Sequence, residues 1–414
     1  MQKAIKYAAQ NNVSFLATGG GHGYSGSLGA LHDGIELVMG NFKSVEVDTA
    51  KNLMTVGGSA RFRDVTGPCY AAGKAFPVGA CSCVGAAGAS LGGGIGFYSG
   101  MYGAISDSLS SVEMVTGTGE LVTASASENP DLFWAIKGAG ANYGVITSFT
   151  FMVYDFANEG QVMNADMTFP ATQNGSLFTF AQSWVGRQPK ELSITFSIVF
   201  SPAAEELLIV ANVIYAGPLD EGKSLIKPLL DLNPQNTNIS YLPWKDISNA
   251  ANYGAPARSC LESTTSVPYA VNLYQVDVKG LSAAVDFLDD TVANTPALQA
   301  FVIALTQYAT YGFQQHAADS SAFPYRDVAI FAQIDITVSR PQDLLTIDSF
   351  GRTFRDRLQQ ISGKDHLEVY TNLAHGDEGA AAWYSRNNVP RLRELKKRYD
   401  PGRLFEFYNP VDRD

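Results

Sequence analysis

The sequence predicts an α+β fold of two domains, and three observations lead to that prediction. The chain has 414 residues, which is more than one ordinary hydrophobic core accommodates. Short strands separated by glycine turns fill the first third, whereas longer strands of alternating polarity begin after about residue 154. In that middle region strands are followed by helices without strict βαβ alternation, which is typical of an antiparallel sheet with helices on one side.

The first region is predicted to open with an amphipathic helix over residues 2–10 and to continue with short strands. Asn129-Pro130-Asp131 starts a second helix, because an N-cap residue, a proline at the first helical position and an acid near the positive end of the helix dipole coincide there. Glycines at 138–140 end that helix. The predicted strands of this region are residues 12–17, 35–39, 43–48, 52–56, 111–116, 121–124 and 144–151.

The middle region is predicted to be rich in strands, with two helices among them. One helix runs from a cap at Ser282 and the other follows Pro341, each with apolar residues on one face. A terminal helix ends at Asp400-Pro401, and the basic residues in 391–398 are expected to form its outer face. The predicted strands are residues 192–200, 207–215, 271–279, 301–308, 329–338 and 367–373.

Composition argues against several classes of protein. Hydrophobic residues make up 46% and charged residues 17% of the chain, which is typical of a globular protein. No run of eighteen apolar residues occurs, so no membrane partner is expected. The net charge of −11 argues against a nucleic-acid partner, although it also fits simple solubility. Four cysteines and five scattered histidines show no metal-ligand spacing, so no metal site is expected.

Two glycine-rich loops carry the strongest functional signal. The first places His22 between glycines, and the second has Cys81 near its start and continues to Gly96. Glycine has no Cβ and tolerates φ > 0, so the backbone N–H groups of such loops can approach a bulky anion closely. Each loop alone is weak evidence, because glycine-rich turns are common. Together they predict a phosphate-bearing cofactor held at two points, beside an imidazole and a thiol.

This pair of loops resembles the berberine bridge enzyme-like flavoproteins of the vanillyl-alcohol oxidase superfamily. The likeness rests on Gly20-Gly21-His22 and on Gly79-Ala80-Cys81-Ser82-Cys83-Val84-Gly85, and it continues in the family's order through residues 92–96, 131–147, 370–372 and 390–401. It implies a two-domain flavoprotein with an FAD-binding domain built from both chain ends. A middle substrate domain would present a seven-stranded antiparallel sheet to the flavin. The expected boundaries are 1–155 and 366–414 for the FAD domain and 156–365 for the substrate domain.

The resemblance implies FAD held by two covalent bonds. His22 would bond the 8α-methyl of the flavin and Cys81 its C6, with Cys83 the less favoured partner. Without the family, a lone histidine is more often a surface or core residue, and a free cysteine is more often a small buried hydrophobe. Thr18 departs from the arginine of many relatives. The further cofactor contacts that the resemblance implies, most of them backbone N–H groups, are Gly19, Gly20, Gly21, Gly23, Gly85, Leu91, Gly92 and Ile146.

Three residues are candidates for catalysis. Tyr370 matches the general base of the family's Tyr-x-Asn motif, and because the pKa of tyrosine is normally near 10 it needs a cation or hydrogen bonds that favour phenolate. A half-buried strand aromatic is the alternative. Gln333 and Asp335 lie two apart and so share one face of a strand, where Gln333 would position substrate and Asp335 would be a second acid or base. A slip of one residue would reverse that face.

The resemblance implies an oxidase that uses molecular oxygen. Tyr370 would remove a hydroxyl proton while the adjacent carbon gives hydride to the flavin, and oxygen would then yield peroxide. A small organic molecule of the secondary-metabolite class is the expected substrate, and an oligosaccharide oxidised to a lactone is the alternative. The oligomeric state and the localisation stay open; no signal peptide precedes the first helix, although relatives are often secreted.

A third hypothesis is a flavin-binding remnant without activity. In the family, a strand, a helix and another strand normally precede the helix at residues 2–10, and this chain lacks them. Either the gene's start has been placed too late, or the protein has lost part of its cofactor domain.

Overall fold

The computed structural model describes residues 1–23, 25–260 and 265–413. Its helices are α1 (Gln2–Asn11), α2 (Phe62–Ala71), α3 (Ala86–Leu91), α4 (Ser99–Tyr102), α5 (Pro130–Ala139), α6 (Asn174–Trp184), α7 (Leu219–Leu230), α8 (Ile247–Ser259), α9 (Val278–Ala293), α10 (Tyr311–Gln314), α11 (Leu344–Gln360), α12 (Ala380–Tyr384) and α13 (Val389–Tyr399). Its strands are β1 (Phe15–Thr18), β2 (Ile35–Val38), β3 (Val45–Asp48), β4 (Leu53–Gly57), β5 (Lys74–Ala75), β6 (Leu109–Thr116), β7 (Leu121–Ser125), β8 (Gly144–Met152), β9 (Tyr154–Asp155), β10 (Gln161–Pro170), β11 (Leu192–Ser201), β12 (Glu206–Tyr215), β13 (Asn236–Pro243), β14 (Ser266–Leu273), β15 (Phe301–Tyr308) and β16 (Ile330–Thr337).

The chain divides into two compact units. Unit 1 comprises Met1–Phe156, Phe313–Arg326 and Gly376–Asp414, and unit 2 comprises Ala157–Gly312 and Asp327–His375. These units differ from the expected domain boundaries at two places. Residues 366–375 belong to unit 2, and residues 313–326 belong to unit 1 although they lie in the middle of the sequence.

Unit 1 contains a five-stranded antiparallel sheet in the order β3-β4-β8-β6-β7 and a parallel β1-β2 pair. One of its hydrophobic clusters joins the two ends of the chain. In that cluster Ile5 of α1 and Phe15 of β1 are buried together with Val115, Val145 and Leu404. The C-terminal segment therefore completes a core that the first residues begin.

The segment Phe313–Arg326 is tied into unit 1 by a buried ion pair. Both Nη atoms of Arg326 donate to the carboxylate of Asp107, and each residue is only 6% exposed. Backbone bonds from Ala322 to Trp134 (3.1 Å) and from Phe323 to Lys137 (2.9 Å) hold the same segment against the end of α5. An isolated ion pair of this kind is costly to break from one side only.

The terminal helix α13 differs from the expectation that its basic residues all lie on the outer face. Lys396 is 2% exposed, and its ammonium donates to Asp400, to the carbonyl of Asn142 and to the carbonyl of Phe405 at 2.7–2.8 Å. Desolvation lowers the pKa of Lys396, and Asp400 opposes that effect. A buried lysine is tolerated here because each of the three N–H groups of its ammonium has an acceptor.

Unit 2 is built on a seven-stranded antiparallel sheet in the order β13-β10-β12-β11-β15-β16-β14. One face of the sheet is apolar, and residues of α6, α7, α9 and α11 pack on it in one large cluster. Alternate residues of each strand point to the other face. That other face carries polar side chains, and α8 contacts it.

Two predicted strands of unit 2 are wrong. The strand expected over 271–279 ends at Leu273, and α9 begins at Val278 with Asp277 as its cap in place of Ser282. The strand expected over 367–373 is absent from the described residues, which form a short 3-10 turn at Thr371–Leu373. In this segment the backbone N–H of Tyr370 donates to a side chain, Oδ1 of Asn272, at 3.2 Å. Among the described residues, no helix is long and apolar enough to cross a bilayer.

Candidate cofactor and substrate sites

The two glycine-rich loops of unit 1 lie against each other. A Cβ added to Gly20 would sit 2.5 Å from the backbone nitrogen of Gly85. A Cβ on Gly19 would sit 2.9 Å from the carbonyl oxygen of Gly58, and one on Gly58 would meet the carbonyl oxygen of Ile146 at 2.1 Å. Only glycine allows such approach of backbone to backbone. The structure thus brings four of the expected cofactor contacts, Gly19, Gly20, Gly85 and Ile146, to one place.

The loop that carries Cys81 is fixed by backbone bonds to the start of α2. Phe62 donates to the carbonyl of Val84 at 3.0 Å, and Arg63 donates to the carbonyl of Ser82 at 2.9 Å. Cys81 is half-buried, and its sulfur is a thiol outside any disulfide. Cys83, the less favoured partner for the flavin, is disulfide-bonded. Of the two cysteines, Cys81 therefore keeps a sulfur that can bond a cofactor.

The imidazole of His22 is held in its neutral form. Although the residue as a whole is exposed, loss of solvent around the ring lowers the pKa of His22, and the positive charge of Arg61 lowers it further. Arg61 itself bridges to Gly85 in the second loop. A neutral imidazole has a nitrogen lone pair available for bonding, which a protonated ring lacks.

Unmet hydrogen-bonding groups surround the contact between the loops. Within the described residues, the N–H groups of Gly20, Gly21, Gly23 and Gly85 donate to no other group. The hydroxyl of Ser59, next to Gly58, is buried and likewise lacks a partner in that part of the chain. Unpaired N–H groups in glycine-rich loops are what a pyrophosphate requires, so the residues present fit an FAD phosphate.

Leu91 and Gly92 lie apart from this contact. They follow Gly85 at the opposite end of α3, and six helical residues span about 9 Å. Leu91 packs where a Cβ on Gly140 would sit, at 2.3 Å, and the N–H of Gly92 already contacts the carbonyl of Ser90. Their expected role as cofactor contacts stays a prediction.

The polar face of the unit 2 sheet contains a continuous row of side chains, one from each strand. Residues directly opposite each other in an antiparallel pair share a face. The register therefore places on one line Asn238, Asp166, Asn212, Thr195, Thr306, Phe331 and Asn272. Gln333 and Asp335 follow Phe331 on the same face of β16, since Ala332, Ile334 and Ile336 point into the apolar cluster.

Tyr370 is fixed beside this row. Its backbone N–H donates to Asn272, and its ring meets the ring of Phe331 edge-on with centroids 5.9 Å apart. Nδ2 of Asn372 donates to the phenol oxygen of Tyr370 at 2.7 Å. A hydrogen bond to that oxygen stabilises the phenolate that forms when the proton leaves. Asn372 is the helper that the Tyr-x-Asn spacing supplies.

Asp335 is a desolvated carboxyl next to Gln333. Burial raises the pKa of Asp335 to about 6, against a hydrogen bond of 2.5 Å from Nε2 of Gln333 that lowers it. Its Oδ1 is buried without a partner among the described residues, as is Nδ2 of Asn272. A carboxyl that titrates near neutral pH in a recess suits proton transfer, and unmet donors and acceptors on one face suit a polar ligand.

The loop at residues 374–378 carries a histidine whose side chain is only 13% exposed. His375 stacks on Tyr269 with ring centroids 4.4 Å apart, and its Nδ1 lies 3.0 Å from the carbonyl of Pro268. No group of three or more His, Cys, Asp or Glu side chains in the described ranges could hold a metal ion.

Sequence reasoning missed the polar residues of β10. Asn164, Asp166 and Thr168 alternate with Met163 and Met167, which is the period-two signature of a strand. That pattern was the available signal, because it marks both the strand and its polar face.

Comparison with known proteins identifies the family of this chain. A family model described as "FAD binding domain" matches residues 1–125, and one described as "Berberine and berberine like" matches residues 369–412. The FAD-linked oxidoreductase azaL of Aspergillus niger is 38% identical over 402 residues, 96% of this chain and 84% of that protein. The FAD-linked oxidoreductase tazG of Aspergillus terreus is 34% identical over 99% of this chain and 84% of that protein. This chain belongs to the berberine bridge enzyme-like FAD-linked oxidoreductases.

Solved structures show the same fold as this FAD-linked oxidoreductase. The BBE-like 1 protein of Physcomitrella patens superimposes with a TM-score of 0.85 at 24% identity, covering 100% of this chain and 89% of that one. A xylooligosaccharide oxidase from Myceliophthora thermophila, solved with xylobiose, gives 0.82 at 24% identity with the same coverage. The predicted α+β flavoprotein fold and FAD as cofactor are confirmed.

Proposed function

We propose that this FAD-linked oxidoreductase is an oxidase that removes a hydride equivalent from a carbon bearing a hydroxyl group, with Tyr370 as the base and molecular oxygen as the final acceptor. The bound flavin would supply the two-electron chemistry. The observation that carries the proposal is the bond from Asn372 to the phenol oxygen of Tyr370. The phenolate form of Tyr370 accepts the substrate's proton, and the hydrogen bond from Asn372 makes that form less costly to reach.

The neighbouring residues have supporting roles in this proposal. Asn272 fixes the backbone of Tyr370 and so the direction of its ring. Gln333 orients the substrate from the same face of the sheet, and Asp335 exchanges a second proton, in keeping with its pKa of about 6. Holding the reacting groups in line removes much of the entropic barrier to reaction.

We further propose that His22 and Cys81 both bond the flavin covalently. The neutral imidazole, the thiol outside any disulfide and the contact of the two loops at Gly20 and Gly85 support this proposal. Purified protein should stay yellow after acid precipitation. His22→Ala and Cys81→Ala should each retain one attachment, whereas the double variant should release its flavin into the supernatant.

A small secondary metabolite is the proposed substrate, and an oligosaccharide is the second candidate. The polar face of the sheet, with its threonine, asparagine and glutamine side chains, favours the second candidate because sugars need many hydrogen bonds. Release of peroxide with cello-oligosaccharides would distinguish the two.

Tyr370→Phe tests the base directly. Loss of a positioned general base typically costs 10²–10⁴-fold in rate, so we expect about that loss in flavin reduction with the covalent flavin retained. Tyr7→Phe, at a tyrosine that is 56% exposed, is the matched control and should leave the rate unchanged. Equal rates for Tyr370→Phe and the wild type would refute the role of Tyr370.

A further inference from the structure

Helix α8 is interrupted by a left-handed turn. Ala251 leaves the helical region with φ −54° and ψ 143°, and the next three residues have positive φ: Asn252 at 52°, Tyr253 at 52° and Gly254 at 76°. Positive φ is unfavourable for residues with a Cβ and costs most where the side chain is bulky, as at Tyr253. A conformation of this kind persists only where surrounding contacts hold it, and such turns concentrate at functional sites.

A buried carboxylate on the polar face of the sheet lies next to the turn. Asp166 of β10 is fully buried and accepts from Asn164 at 2.8 Å and from Asn212 at 2.7 Å. Burial raises the pKa of Asp166, and the side-chain amides of Asn164 and Asn212 and the nearby backbone of the turn oppose that effect.

The side chain of Tyr253 attaches the turn to the sheet. Its hydroxyl donates to the carbonyl of Asp166 at 3.0 Å and lies 3.3 Å from the carbonyl of Asn236. The hydroxyl of Thr168 donates to the phenol oxygen of Tyr253 at 3.3 Å. The turn is therefore fixed to β10 and β13 through the side chain of Tyr253.

The turn places Asn252 over the sheet. Its Oδ1 accepts from the hydroxyl of Ser197 on β11 at 3.3 Å, and its Nδ2 donates to no group within the described ranges of the chain. Asn252 is only half-buried. An amide donor that is held in place, unmet and accessible suits an oxygen acceptor on a ligand.

Ser197 and Gln333 lie on one cross-strand line with a small residue between them. The register pairs Ser197 with Ala304 and Ala304 with Gln333. Two strand spacings separate Ser197 from Gln333, about 10 Å. Ala304 contributes only a methyl group to that line, and the hydroxyls of Thr195 and Thr306 lie beside it.

We propose that Asn252 and Ser197 form a second substrate contact about 10 Å from Gln333, and that Tyr253 positions this contact by holding the turn. The contact takes an oxygen atom of the substrate remote from the reacting carbon, on a sugar ring or on an aromatic metabolite. It selects substrates long enough to reach from Gln333 to Asn252. This inference rests on the proposed oxidase function.

The experiment compares long and short alcohols as substrates of the flavin-loaded enzyme. Cellobiose and glucose form one pair, and 4′-hydroxybiphenyl-4-methanol and benzyl alcohol form the other; only the long member of each pair places an oxygen near Asn252. Asn252→Ala should lower kcat/KM for a long probe about tenfold, the effect of one lost hydrogen bond. The loss should fall mainly on KM, because the contact is remote from the chemistry.

Asn249→Ala is the matched control, since Asn249 is exposed on the same helix. It should change no kinetic constant, and Asn252→Ala should leave the short probes within about twofold. If Asn252→Ala lowers kcat/KM for cellobiose, the contacted oxygen belongs to a sugar. If it lowers kcat/KM for 4′-hydroxybiphenyl-4-methanol, the oxygen belongs to an aromatic substrate. Equal losses for long and short probes, or no loss for either long probe, would overturn the second contact.

The outcome for the wild type separates this inference from the oxidase proposal. If the wild type oxidises the short probes and gains nothing from the long ones, the second contact is wrong and the oxidase proposal stands. If none of the four probes reduces the flavin, the oxidase proposal loses its support. Equilibrium binding of the two long probes to the flavin-loaded Asn252→Ala and Asn249→Ala proteins then decides the contact.

The positioning role of Tyr253 has its own test. Tyr253→Phe removes the hydroxyl that ties the turn to the sheet. It should lower kcat/KM for the long probe, and adding Asn252→Ala should cause no further loss, because both changes remove the same contact. Cleavage by protease at the turn should become faster while the flavin spectrum stays unchanged. Thr168→Val removes only a bond of 3.3 Å to that hydroxyl and should give a smaller effect of the same kind. Additive losses would overturn the positioning role.

Discussion

At the scale of single residues, glycine at position 20 decides whether the two loops can meet. The space that a Cβ would need at Gly20 is occupied by the backbone of Gly85 at 2.5–2.6 Å. Backbone atoms cannot move aside as the end of a side chain can, so the loops themselves must separate. The free N–H groups that converge there would then separate too.

Gly20→Ala is therefore expected to reduce flavin incorporation strongly, because the added methyl group forces the loops apart. The absorbance of the flavin relative to that of the protein measures the loss. Gly29→Ala is the control, since nothing lies within 4 Å of a Cβ at Gly29. Equal flavin content in the two variants would show that the contact of the loops is not needed for cofactor binding.

Asp335 makes the stability of the protein depend on pH in a definite direction. Its pKa is about 6 in the fold and 3.8 for an unperturbed group, so the folded state binds the proton more tightly than the unfolded chain does. Its contribution to stability is unfavourable once the carboxyl ionises. Stability is therefore lost as pH rises from about 4 to above 6.

Asp335→Asn removes that charge and should stabilise the protein at high pH only. The gain over wild type should grow by about 2 kcal/mol between pH 4.5 and pH 8, from 1.36 kcal/mol per pKa unit. Urea unfolding at both pH values measures it. Asp289→Asn, at an exposed position of α9, should show a constant difference. A gain that does not change with pH would contradict the raised pKa.

At the scale of elements, a buried ion pair adds to the backbone bonds that hold the segment Phe313–Arg326 in unit 1. The side chains of Arg326 and Asp107 are 7% and 1% exposed. The carboxylate also accepts from the N–H of Ala104 at 2.9 Å. Removing the guanidinium leaves this carboxylate buried and without its cation.

Arg326→Met should lower the free energy of unfolding by about 3–5 kcal/mol, the usual effect of leaving a buried charge unpaired. Adding Asp107→Asn should recover part of the loss, because the remaining charge is then removed. Chemical denaturation measures both variants. Lys51→Met breaks an exposed pair with Asp48 and should have little effect; a loss as large as that of Arg326→Met would point to general damage.

Local signals predicted the elements of unit 1 well and those of unit 2 less well. The helix at Asn129-Pro130-Asp131 is observed as α5, because its start signals act within one turn. The strand expected over 367–373 failed because the backbone of Tyr370 bonds a side chain on β14, nearly a hundred residues away in sequence. Local periodicity contains no information about a partner of that kind.

At the scale of the whole molecule, the sheet of unit 2 separates stability from chemistry by its two faces. Ile334 is fully buried in the apolar cluster, and Gln333, the next residue of the strand, points to the polar face. The same truncation at the two positions should therefore have opposite consequences.

Ile334→Ala should lower the free energy of unfolding by about 2–5 kcal/mol through the cavity it leaves and should have a small effect on turnover at low temperature. Gln333→Ala should cost only about 1 kcal/mol while slowing substrate oxidation. Unfolding curves and initial rates of the two variants test the separation. Similar profiles for the two variants would mean that the faces do not divide these roles.

The site was predictable only where sequence and family motif coincide. His22, Cys81 and Tyr370 could be selected because each lies within a motif of fixed spelling. Asn252 and Tyr253 could not, because a left-handed turn inside a helix and the side-chain contacts that hold it are consequences of packing. The sequence could predict that Gln333 and Asp335 share one face of a strand. It could not predict whether that face is the polar or the apolar side of the sheet, because this depends on the pairing register.

The burial of Lys396 has a practical consequence for protein engineering. Its ammonium is neutralised and solvated in part by residues that follow it, Asp400 and the carbonyl of Phe405. Trimming the carboxy terminus back past Phe405 would remove an acceptor and leave the amine dehydrated. An affinity tag should extend the native terminus and replace none of it, and chemical modification of surface amines should leave position 396 unlabelled in the native protein.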